Sequence, residues 1–170
     1  MPESERLVLR EWREKDWPFF AAMNANPQVM RFFPGVMTEK DSLSMWNRIR
    51  EELDERGYGL YAVELKHSGS LIGLLGFHWA DFEADFTPEA WGYGYATEGA
   101  RACLKHGFAR FGFDRVYSFT ACVNFPSQAV MQRVGMRKIA EFNHPKVAPD
   151  SILYPHVLYV KDTFRKIERE

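Results

Sequence analysis

Cysteine is scarce. Two residues in 170, Cys103 and Cys122, are too few for a disulfide framework or a thiolate metal cluster. Cys103 falls on an apolar helical face and Cys122 in a β-rich run, so both are expected as buried thiols. No run of Lys or Arg stands out, and the net charge is −1, which argues against a nucleic-acid surface or a polybasic membrane anchor. Long apolar runs are missing too. The most apolar stretch, 71–80, falls well short of the roughly 20 residues that cross a bilayer. The polar, acidic start, Met1-Pro2-Glu3-Ser4-Glu5, does not read as a secretory signal. These absences lead to the expectation of a cytoplasmic protein with no metal, no membrane and no nucleic acid. With no repeat, low-complexity tract or linker, the chain reads as one domain over 1–170.

What is present is a succession of strands and helices. Residues 6–12 alternate as a first strand, and a helix follows over 16–25 with Asp16 as N-cap and Pro18 in its first turn. Residues 26–35 form an aromatic loop bounded by Pro and Gly. Thr38 and Asp41 form a capping box for a helix reaching Arg56, and Gly57 ends it. Strands at 58–65 and 70–79 flank "KHSG", a hairpin signal. After Gly94, apolar residues recur at helical spacing through Phe111. A strand at 115–123, a short helix at 127–135, a strand at 137–142 and a closing strand at 156–162 complete the chain. Strands and helices so interspersed predict a mixed α/β fold, a sheet with helices on its faces.

The segment "EAWGYGYATEGA" (89–100) sets Gly92 and Gly94 just before a helix. Helix N-termini carry unpaired amides and partial positive charge, and glycines let phosphate oxygens approach. The dinucleotide fingerprint fails here, because Thr97 stands where its third glycine belongs. A Walker A loop fails as well, because Ala100 and Arg101 follow Gly99. Taken alone, the pair is as well explained by a helix-initiating turn.

The pair has company thirty residues on, in "NFPSQAVMQRVGM" (124–136), directly after a strand. Together with "ERLVLREW", "NPQVMRFFPG" and "HVLY", these segments resemble the GCN5-related N-acetyltransferase (GNAT) superfamily. The nearest branch is that of ribosomal-protein N-terminal acetyltransferases. The resemblance implies a mostly antiparallel mixed sheet flanked by helices, which binds acetyl-CoA as cosubstrate where two strands splay apart. It implies that Trp91, Gly92, Tyr93, Gly94, Tyr95, Ala96 and Thr97 surround the pyrophosphate, that Asn124 bonds the pantetheine arm, and that Ser127 lies near the sulfur. The implied activity is N-acetyl transfer by direct attack of a primary amine, a protein N-terminus or a small amine. Met131 stands where many members carry a Tyr that protonates the thiolate, which leaves Ser127 as the catalytic candidate. Plainer roles stand beside these: Asn124 as a helix cap, Ser127 as a first-turn polar residue, Trp91 as a core anchor.

The base is open among Glu83, Asp85, Glu141, His144 and His156, candidates by position in the chain. The loop 26–35 and the aromatic stretch 77–86 are expected either to shape the acceptor site or to pack the core. One feature departs from the family: no alternating run precedes the glycine loop. The strand expected there reads as missing or shortened, with about ten residues absent near Pro88. A deletion, or a neighbouring chain completing the sheet in a homodimer, would account for it. The competing function is a non-catalytic acyl-CoA-binding or assembly module. A nucleotide-binding enzyme ranks third.

Overall fold

The computed structural model describes residues 1–78 and 82–163, with the backbone alone for 82–86. Apolar runs draw β1 (Leu7–Arg10), β2 (Leu60–Leu65) and β3 (Leu71–Phe77) into an antiparallel sheet. At its edge stands β4 (Phe82–Phe86), antiparallel to β3, with Gly73 opposite Phe86 and Phe77 opposite Phe82. The expected gap before the glycine loop is therefore a shortened strand of five residues, supplied by the chain itself. Its ladder is made by backbone groups, which any sequence supplies, and an edge position tolerates its acidic residues. The Thr87 amide extends the ladder to the Ile72 carbonyl at 2.8 Å, and a single 3-10 turn at Pro88–Ala90 then leads into the glycines.

A second antiparallel sheet has the order β5 (Arg115–Ala121), β7 (Pro155–Asp162), β6 (Arg137–Asn143). Strands β4 and β5 lie side by side, yet no ladder joins them among the described residues. The two sheets open there. Helix α3 (Tyr95–Arg110) makes the crossover between them, and α4 (Phe125–Arg133) follows β5. Small residues on α3 bring it close to the first sheet: a Cβ at Gly99 would stand 3.2 Å from Leu75 and 3.3 Å from Leu7.

Helices α1 (Trp17–Asn24) and α2 (Glu39–Arg56) form the other flank. The capping box of α2 is as expected: Thr38 Oγ1 accepts from the Asp41 amide, and Gly57 closes the helix at φ 73°. Asp16 differs from expectation. It heads α1 by position, but its carboxylate makes no cap bond to α1. It instead accepts from Arg10 Nη1 at 2.6 Å and from the Arg13 amide at 2.8 Å. A buried guanidinium needs a counter-charge more than a helix end needs a cap. Arg10 also donates through Nε to Glu64 at 2.7 Å, so this network ties β1 to β2 and to the start of α1.

The core beneath these helices is aromatic. Trp12, Phe20 and Trp46 meet edge to face with centroids 5.1–5.4 Å apart, and the Trp12 indole donates to the Leu60 carbonyl at 3.0 Å. Each such pair contributes about 0.5–1.5 kcal/mol beyond burial. Cys103 is buried as expected, and burial pushes its thiol up; Cys122 is half-buried.

Candidate active site

A groove of about 1690 Å³ runs along the opening between the two sheets. The first turn of α3, β5, the start of α4 and the loop Val29–Pro34 line it. Six Lys or Arg residues and three Glu residues border it, a balance suited to an anionic ligand.

The glycine segment forms one wall. Gly92 and Gly94 both take left-handed backbones, φ 84° and 80°, which only glycine adopts without strain. Gly94 caps α3 without a side chain, and the first helical bond runs from the Glu98 amide to the Gly94 carbonyl at 3.0 Å. The amides of Tyr95, Ala96 and Thr97 consequently have no acceptor within the helix. Open space lies where a Cβ on Gly92 would project. Arg6 holds the loop from the β1 side: Nη2 donates to the Tyr93 carbonyl at 3.0 Å, and the guanidinium lies 4.6 Å from the Tyr95 ring centre.

Glu98 fastens the same turn. It accepts from Ser4 Oγ at 2.6 Å, from the Arg6 amide at 2.8 Å and from Arg6 Nε at 2.7 Å. Burial pushes its carboxyl up, but these donors outweigh burial and hold it below the usual range. Trp91 is 39% exposed, with the Arg31 guanidinium 4.2 Å over its ring, so it is not a core anchor. Glu89, three residues before Gly92, is exposed.

The opposite wall starts at Asn124. Its Oδ1 accepts from the Ser127 amide at 3.2 Å, which caps α4, and its Nδ2 donates to Thr120 Oγ1 at 2.9 Å. The plainer capping role is thus present in the geometry. Ser127 is half-buried on the first turn, lines the groove, and its hydroxyl has no partner among the described residues. Met131 is buried with Met136, Val157 and Tyr159. The Tyr159 hydroxyl is taken by Gln132 Nε2 at 3.2 Å and Gln128 Oε1 at 3.3 Å.

Of the base candidates, His144 and His156 line the groove with ring centres 4.7 Å apart. Glu141 is exposed and paired with Lys138. The side chains of Glu83 and Asp85 lie outside the described residues. Among the loop aromatics, Phe32 and Phe33 reach the groove, whereas Phe77 packs in the core against Phe113 at 5.1 Å. Trp79 lies outside the described residues. The buried Arg10 network and the Arg6–Glu98 clamp escaped the sequence reading, since only the fold brings partners 54 and 92 positions apart together.

The profile of the acetyltransferase (GNAT) domain family matches residues 6–137. The chain belongs to the GNAT acetyltransferase family. This acetyltransferase is 31% identical over 142 residues to the uncharacterized N-acetyltransferase YnaD of Bacillus subtilis (strain 168), covering 79% of this chain and 81% of the relative. Among solved structures it resembles a GNAT-family acetyltransferase from Bacillus anthracis, with TM-score 0.82 and 27% identity over 95% of this chain and 97% of that one. It shares the fold of the ribosomal alpha-N-protein acetyltransferase RimL in complex with coenzyme A, with TM-score 0.80 and 17% identity over 95% and 96% of the chains. No described helix of this acetyltransferase is long and apolar enough to cross a membrane, and no described group of His, Cys, Asp and Glu could hold a metal.

Proposed function

We propose that this acetyltransferase uses acetyl-CoA and transfers its acetyl group to a primary amine. The observation that carries this reading is the outward set of free amides at the N-terminus of α3, set in the wall of a cation-rimmed groove where two sheets part. Free amides with the helix dipole behind them suit a pyrophosphate, and the space beside Gly92 admits one. Residues Trp91, Gly92, Tyr93, Gly94, Tyr95, Ala96 and Thr97 would hold that end. Asn124 has one amide hydrogen left for the pantetheine arm after its bond to Thr120, and Ser127 faces the same groove. When bound, acetyl-CoA supplies the acetyl group as an activated thioester.

The chain's own contribution is to orient and to hold protons. Ser127 keeps its hydroxyl uncommitted, so it is the group we assign to protonate the leaving thiolate; Met131 is buried and has no proton to give. The amine class of acceptor draws support from the name of RimL, which acts on a protein α-amine.

Calorimetric titration with acetyl-CoA, paired with thiol release from an amine panel, tests the reading. Wild type should bind and turn over. Gly94→Val forces a β-branched residue to φ 80° and should weaken acetyl-CoA binding at least tenfold with the fold retained. Unchanged affinity would count against the amide site. The absence of a Tyr at Met131 favours one second reading, an acyl-CoA-binding module, which predicts tight binding without thiol release for any amine.

A further inference from the structure

The groove has two sides, and the sheet decides which residues serve each. On β7, Val157 and Tyr159 face α4, packed with Met131 and Met136, and their partners across the ladder are Thr120 and Ser118. Asn124 and Ser127 belong to that side. His156 sits on the opposite face, in register with Ala121 of β5 and Phe142 of β6. Phe119, Phe142 and His144 surround its ring at 5.9, 5.7 and 4.7 Å. His156 therefore lines the groove from the face of the second sheet opposite α4, paired with His144.

We propose that His156 is the general base for the acceptor amine, with His144 as its positioning partner; this deepens the transferase reading and rests on it. The hydrogen bonds fix the tautomers. His156 Nδ1 lies 3.3 Å from the Tyr154 carbonyl, which can only accept, so the ring proton sits on Nδ1 and Nε2 keeps its lone pair. His144 Nδ1 accepts from the Lys146 amide at 3.2 Å. In the step, the Nε2 lone pair takes one proton from the acceptor ammonium. The ammonium N–H bond breaks, its electron pair stays on nitrogen, and an Nε2–H bond forms, leaving a neutral amine and an imidazolium that returns the proton to solvent.

The groups facing His156 are His144 from the loop after β6, the Tyr154 carbonyl and the rings of Phe119 and Phe142, with Lys146 lining the same end. Burial lowers its pKa, the Tyr154 carbonyl opposes this, and His144 lowers it further.

The test uses the full chain with acetyl-CoA and three amines: a peptide with a free N-terminal Ser, spermidine and phenethylamine. Wild-type kcat should fall on the acid side, below about pH 6.5, for each amine it turns over. His156→Gln should lower kcat about a hundredfold or more, abolish that limb and leave acetyl-CoA affinity unchanged. His144→Gln, at a half-exposed site, should fold and move the limb upward in pH. Nitrogen NMR of wild type at pH 7 should show the neutral Nδ1–H form of His156. Wild-type kcat and pH profile in His156→Gln, or an Nε2–H tautomer, would overturn the proposal. Loss of acetyl-CoA binding in wild type, or no turnover of any amine, would overturn the transferase reading and this inference with it.

Discussion

Asn124 shows how one side chain can serve structure first. With Oδ1 capping α4 and Nδ2 bonded to Thr120, Asn124→Ala should cost about 1 kcal/mol of stability, read by thermal or denaturant melts. Ser127→Ala removes a hydroxyl without a partner among the described residues, so it should leave stability within about 0.5 kcal/mol while lowering kcat. A stability loss in the serine variant equal to that of the asparagine variant would make both residues parts of the cap alone. Glu98 has a different role, because it joins Ser4 and Arg6 to the first turn of α3. Glu98→Gln should loosen the Arg6 hold on the Tyr93 carbonyl and weaken acetyl-CoA binding, a loss that titration would show.

At the level of elements, the β2–β3 pair and the short β4 set the geometry of the opening. Gly76 admits no side chain: a Cβ there would sit 2.0 Å from the Gly59 carbonyl oxygen. Backbone cannot yield as a flexible side chain would, so Gly76→Ala should destabilise by about 3 kcal/mol and splay β3 from the start of β2. A denaturant midpoint close to wild type would contradict this. Strand β4 already pairs along its length with β3, and the Thr87 amide continues that pairing into the turn before Trp91. Inserting ten apolar, alternating residues between Pro88 and Glu89 should therefore lower acetyl-CoA affinity rather than raise turnover, since it separates the glycine loop from the ladder that anchors it.

For the molecule as a whole, acid should unfold it through a small set of buried or clamped carboxylates. Burial pushes the Asp16 carboxyl up, yet the bonds from Arg10 and the Arg13 amide prevail and hold it low; Glu98 behaves likewise. Because both are lowered in the folded state, their contribution is complete above the ordinary carboxylate range and is lost as pH falls through the lowered values. His156 adds to the trend: its depressed pKa favours the neutral folded form, so stability begins to decline as pH drops below about 6.5. Denaturant midpoints measured from pH 7 to pH 3 should fall throughout. Asp16→Asn should cost about 3 kcal/mol at pH 7, because it leaves the buried Arg10 guanidinium with Glu64 as its one carboxylate partner among the described residues, and should flatten the acid decline. A variant as acid-sensitive as wild type would relieve Asp16 of that role.

The sequence by itself determined the helices, the hairpin, the closing strands, the glycine turn and the family. Each of these is encoded within a few neighbouring residues: Thr38 with Asp41, Gly57 after Arg56, Gly92 and Gly94 ahead of an apolar face. Strand β4 was missed although Phe82, Ala84 and Phe86 alternate with Glu83 and Asp85: the run is five residues long with a small residue at its centre, and its order comes from the backbone of β3. Asp16 stands at the N-cap position of α1 as read, but its carboxylate serves Arg10, a stronger partner that reaches it only once β1 turns toward α1. The choice among five base candidates was also closed to sequence. Position in the chain does not say which face of a sheet a residue occupies, and only the register of β5, β7 and β6 sets His156 beside His144 and on the face opposite Val157 and Tyr159. Local chemistry is written in neighbours along the chain, whereas the pairing of charges, the strand edge and the two-sided groove depend on contacts that tertiary packing alone creates.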